Sequence, residues 1–70
     1  MQTMVVKNAD DIVKALKTRV RHIKIQVPAG KTFEQFLAEM VVKAKTEVPD
    51  MAAYDGYEIE SIIREMDRKP

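Results

Sequence analysis

Between Arg21 and Pro28 the chain changes period. His22, Lys24 and Gln26 alternate with Ile23, Ile25 and Val27, and Pro28 ends the run. Alternation at every second residue sends the two sets to opposite faces of a strand. Residues 21–28 therefore predict a half-buried β-strand with one apolar face and one polar, partly basic face. Segments of helical period lie on both sides of it, so the chain combines strands with helices.

Upstream, Met4-Val5-Val6-Lys7 is a short β-branched run that fits an edge strand. Asn8 offers an N-cap side chain, and Asp11 stands three positions on in a capping-box-like place. Ala9, Ile12, Val13, Leu16 and Val20 recur at helical spacing, which predicts a helix from about residue 9 to 18. Downstream of Pro28-Ala29-Gly30-Lys31, Thr32 and Gln35 form a capping box. Phe33, Phe36, Leu37, Met40, Val41, Ala44 and Val48 then follow one helical face until Pro49 stops it. Asp50 to Ala53 reads as a loop or as a turn of helix. A last helix starts at Asp55, with Glu58 as capping-box partner, Tyr54 placed to staple against Ile59, and Ile59, Ile62, Ile63 and Met66 as its apolar face. Residues 67–70 are expected to fray. Asp55-Gly56 could also open a hairpin, but the period that follows is helical.

The expected fold is one small α+β domain, residues 1–70, in the order β-α-β-α-α. Residues 1–20 supply a strand and a helix, and residues 21–68 a strand-helix-helix unit. Ordering a chain costs roughly 1.5 kcal/mol per residue, which about cancels the hydrophobic gain at this size. With 70 residues and no cysteine to staple them, association is the remaining route, and the fold is expected to be completed by homodimerisation through a strand. Apolar runs such as Met40-Val41-Val42 are far too short to span a membrane. Charged residues at Asp10, Asp11, Lys14 and Lys17 stand where a signal peptide needs an apolar stretch. A cytoplasmic protein with no membrane partner is expected.

Catalysis finds little support. One histidine and no cysteine exclude histidine-pair metal sites, thiolate sites and a cysteine nucleophile within one chain. Gly30-Lys31-Thr32 resembles the end of a phosphate loop, but that loop needs a glycine where Ile25 stands in mid-strand. Asp11, Asp55 and Glu58 are accounted for as caps, and no EF-hand-like series of oxygen donors is present. No enzyme activity, cofactor or metal is expected. The net charge of +1 conceals an asymmetry: residues 7–31 carry seven basic side chains against Asp10 and Asp11, whereas residues 32–70 carry five basic and nine acidic ones. Such halves could attract each other across a dimer, or the basic half could face an anion.

Alternating apolar and hydrogen-bonding residues on a strand, followed by two helices, resemble the ribbon-helix-helix family of DNA-binding repressors. His22-Ile23-Lys24-Ile25-Gln26-Val27-Pro28 looks like that family's strand, residues 33–46 like its first helix, and Glu60-Ser61-Ile62-Ile63-Arg64-Glu65-Met66 like its second-helix pattern. The resemblance implies a homodimeric regulator of transcription whose two-stranded antiparallel ribbon enters the major groove of double-stranded DNA. His22, Lys24 and Gln26 would then read bases, and the second helix would touch phosphate near Gly56 and Tyr57. Arg19, Arg21 and Lys31 join them as basic candidates for duplex contact. The alternative is a small α/β interaction or adaptor module with no chemistry of its own. In it residues 4–27 form a parallel β-α-β unit, and a free sheet edge takes a second copy or a protein partner. The two readings differ in what the strand at 22–27 pairs with: the same strand of another subunit, antiparallel, or residues 4–7 of its own chain, with Val5 alongside Ile25.

Overall fold

Asn8 decides where the first strand ends. Its side-chain Oδ1 accepts the Asp11 N–H at 3.0 Å, and Asp11 Oδ2 in turn accepts the Lys7 N–H at 2.9 Å. This reciprocal cap takes the backbone out of the strand and starts a helix. The structure, a computed structural model, describes residues 3–67. Strand β1 spans Thr3–Val6, helix α1 Ala9–Lys17, strand β2 His22–Ile25, helix α2 Phe33–Glu47 and helix α3 Gly56–Asp67, with a 3₁₀ turn at Pro49–Met51. The order is the β-α-β-α-α read from the sequence, and the ambiguous segment after Pro49 begins as a helical turn. Fraying at residues 68–70 falls outside the described residues. Asp67, grouped with them on sequence grounds, is the last residue of α3.

The two strands are parallel, with Thr3 opposite His22, Met4 opposite Ile23, Val5 opposite Lys24 and Val6 opposite Ile25. The register is one residue away from the pairing of Val5 with Ile25 considered above. Strand β2 is also shorter than the alternating run predicts. A strand extends only as far as it has a partner, and β1 stops at Val6 because Asn8 and Asp11 claim the next backbone groups. The final ladder bond runs from the Gln26 N–H to the Val6 carbonyl at 2.9 Å. Pro28 to Lys31 then forms a turn, closed by the Lys31 N–H on the Pro28 carbonyl at 3.2 Å. Gly30 supplies its left-handed residue at φ 88°.

Each helix is delimited by its own side chains. Thr32 and Gln35 form the full capping box of α2, with bonds of 3.1 and 2.9 Å. Asp55 and Glu58 do the same for α3, at 2.8 and 3.0 Å. Between these helices, Lys45 donates to the carbonyls of Ala52 and Tyr54 and ties the connecting turn to α2. All three helices contribute to one core: Val6 and Ile23 from the sheet, Ile12, Val13 and Ala15 from α1, Phe36, Leu37, Met40 and Ala44 from α2, and Ile59 and Ile63 from α3. Val48 closes it beyond the C-terminal end of α2. No polar or charged residue among those described is fully buried, so the core is held by apolar area alone. That area contributes roughly 25 cal/mol per Å² removed from water.

Candidate interaction surface

With strand period two, Met4, Val6, Ile23 and Ile25 share the face that joins the core, while Thr3, Val5, His22 and Lys24 share the other. That second face carries no helix-facing core residue. Thr3, Val5 and Lys24 are exposed and His22 is half-buried. The polar strand face inferred from alternation is thus a real surface, placed over two strands rather than one.

The six basic or polar candidates do not form one site. His22 and Lys24 lie together on the open face, and Gln26 follows just beyond the end of β2. The His22 Nδ1 is buried without a hydrogen-bond partner among the described residues. Arg21 is exposed immediately before the strand. Arg19 occupies the turn after α1 with a left-handed backbone, φ 58°. There its N–H donates to the Leu16 carbonyl at 3.3 Å, and the Val20 N–H to the Ala15 carbonyl at 3.1 Å. This is the Schellman closure of a helix, with arginine in the position that glycine favours. Its guanidinium reaches only to 3.8 Å from Asp50, and both side chains are mostly in water. Lys31 lies past the other end of β2, and its ammonium is paired with Glu39 of α2 at 2.6 Å. Lys31 is therefore separated from Arg19 and Arg21 by the length of the strand and is charge-neutralised.

The two edges of the sheet differ. On the outer side of β2, the Ile25 N–H donates to Asp67 Oδ1 at 3.2 Å, so the last residue of α3 stoppers that edge. On the outer side of β1 there is no strand among the described residues. Because Val6 accepts from Gln26 of β2, and backbone groups alternate sides along a strand, the N–H and C=O of Val5 point away from the sheet. Val5 is 39% exposed. The four-residue edge Thr3-Met4-Val5-Val6 holds no charge and no proline, two of the devices by which free edges are protected. The edge character of residues 4–7 was read from the sequence, but the Asp67 contact and the side of β1 left open were not. The first depends on a contact between residues 42 positions apart, and the second on knowing which side of β1 its partner takes.

A groove of about 450 Å³ lies between Phe33 and the end of α3, where the Arg64 guanidinium stacks 5.5 Å from the Phe33 ring centroid. Lys43 bridges Asp10 and Glu47, each at 2.9 Å, and ties α1 to α2. Hydrogen bonds to Asp10 and then Glu47 hold its ammonium well above the usual lysine range. No group of three or more metal-ligating side chains converges among the described residues, and no helix of those residues is long and apolar enough to cross a membrane. No family model, curated protein or solved structure matches the chain.

Proposed function

We propose that this chain is a small protein-interaction module that works by accepting a strand along the edge of β1, with no chemistry of its own. The observation that carries the reading is the contrast between the edges: β2 is stoppered by Asp67, while the uncharged strand β1 turns the backbone groups of Thr3 and Val5 to a side with no strand among the described residues. Strand addition uses main-chain bonds for affinity and alternate side chains for selection. Here the selecting side chains would be Thr3 and Val5 on the open face. The added strand can come from another protein or from a second copy, the partner that the size of the chain favours. A groove-entering ribbon, by contrast, needs β2 free to pair antiparallel with its counterpart in a second subunit. In this chain β1 occupies one side of β2 and Asp67 the other. Duplex contact through His22, Lys24 and Gln26 would have to use the open face as a wider sheet.

Amide hydrogen exchange followed by NMR tests the reading, with mass measured in parallel by light scattering. In the 8.0 kDa species the Val5 amide is expected to exchange at close to the free-peptide rate, while Gln26 is protected. In any associated species Val5 becomes protected. Val5→Pro, which removes a donor that the monomer does not use, should leave the fold intact and abolish association. Protection of Val5 within the 8.0 kDa species, or an associated species in which Val5 stays unprotected, overturns the proposal.

A further inference from the structure

The strand that β1 accepts, we infer, is β1 of a second copy, paired antiparallel about a two-fold axis through Val5. The inference rests on the strand-acceptance reading and specifies its partner.

Thr3 and Val5 both turn their backbone groups outward, and Val5 is the one flanked on each side by residues of β1, so two copies centred on it exchange both Val5 N–H···O=C bonds and the axis falls on that residue. The rest of the register then follows. On the core side Met4 meets Val6 of the other copy, twice, and apolar pairs lie opposite each other beneath the sheet. Met4 is only half-buried in one chain although it packs against the core, so this pairing covers the part left in water. On the open side Val5 meets Val5, and Thr3 faces Lys7, which lies just past β1 with its N–H held by Asp11. No like charges stand opposite each other, the arrangement an antiparallel pair requires.

Charge supports the same orientation one layer down. Helix α1 packs on the sheet with an acidic first turn, Asp10 and Asp11, and a basic last turn, Lys14 and Lys17. A two-fold axis perpendicular to the sheet keeps both α1 helices on the same face and runs them antiparallel. The acidic end of each then lies toward the basic end of the other, and the helix dipoles are opposed. A parallel second copy would align like ends. The result is a four-stranded sheet ordered β2-β1-β1-β2, closed at both outer edges by Asp67. An isologous contact of this kind ends at two subunits.

The absence of cysteine makes the register directly readable by engineered thiols. Facing residues of a hydrogen-bonded antiparallel pair lie about 5.5 Å apart at Cα, inside the range a disulfide spans. Val5→Cys protein is expected to form a linked dimer on mild oxidation. Thr3→Cys alone and Lys7→Cys alone should not, but a mixture of these two should link. Light scattering on the wild type should give twice 8.0 kDa at high concentration, and Val5→Pro should return the mass to that of one chain. Self-linking by Thr3→Cys, or linking by none of the variants in a protein of dimeric mass, overturns the inference. A wild type that stays at one chain's mass at every concentration, with the Val5 amide still exchanging freely, also overturns it while leaving strand acceptance from a different protein standing. A protected Val5 amide in that single chain removes both.

Discussion

Replacing Arg19 by glycine should stabilise the protein, although it deletes a charged side chain and its ion pair. The residue holds φ 58° at the Schellman position after α1. A side chain in that left-handed region costs roughly 1–2 kcal/mol because Cβ crowds the following carbonyl. Glycine removes this strain but gains freedom in the unfolded chain, which takes back about 0.4–1 kcal/mol. The Arg19–Asp50 contact contributes little against this, since it is 3.8 Å long and its side chains are 84% and 72% exposed. Such a pair is worth at most a few tenths of a kcal/mol. The net expectation is a gain of about 0.5–1 kcal/mol. For a chain this short, with a urea m-value near ~1 kcal/mol/M, the unfolding midpoint should rise by about 0.5–1 M. Arg19→Ala is the control, because it removes the guanidinium and keeps Cβ in the strained position; its midpoint should not rise. A fall in the Arg19→Gly midpoint, or an equal rise in both variants, would refute the backbone argument and transfer the effect to the side chain's charge.

Two other perturbations probe the edge and the core's outer ties. Asp67→Ala frees the Ile25 N–H and opens the edge of β2; urea unfolding should show a loss of about 1 kcal/mol, and light scattering should show species larger than a dimer, whereas Asp67→Asn, which keeps an acceptor oxygen, should do neither. Lys43 has its pKa raised by Asp10 and Glu47, so the stability it contributes is complete below the unfolded lysine value of 10.5 and is lost as pH climbs toward the folded one. The difference in urea midpoint between wild type and Lys43→Gln should therefore be largest near neutral pH and shrink above that value, and a difference that grows with alkalinity would contradict the bridge.

Much of the architecture was legible because it is written in short-range interactions. The capping boxes of Thr32 with Gln35 and Asp55 with Glu58 are contacts within one helical turn. The apolar face of α2 is likewise a local period, and both were read in place. What escaped is set by partners distant in the chain. Strand β2 ends at Ile25 although its alternation runs on through Val27, because the length of β1 and not its own pattern limits the ladder. The same dependence shifted the register by one residue. Of the candidate surface, the polar strand face carrying His22 and Lys24 was visible as alternation. Lys31 was grouped with it on charge alone, and the Glu39 pairing that removes it needed the path of the turn.

The bond between Ile25 and Asp67 also orders the events of folding. Strand pairing closes across α1, and the helical pair α2–α3 closes across a short turn, so both units can form from neighbouring sequence at little entropic cost. The Asp67 contact spans 42 positions and needs both units in place, which makes it among the last contacts to form. It also hangs on the final residue of a helix, where turns unwind most readily. Local opening there would release the β2 edge while the core of Phe36, Met40 and Ile63 stays packed. Opening of the last turn of α3 is thus enough to expose a second sheet edge without global unfolding.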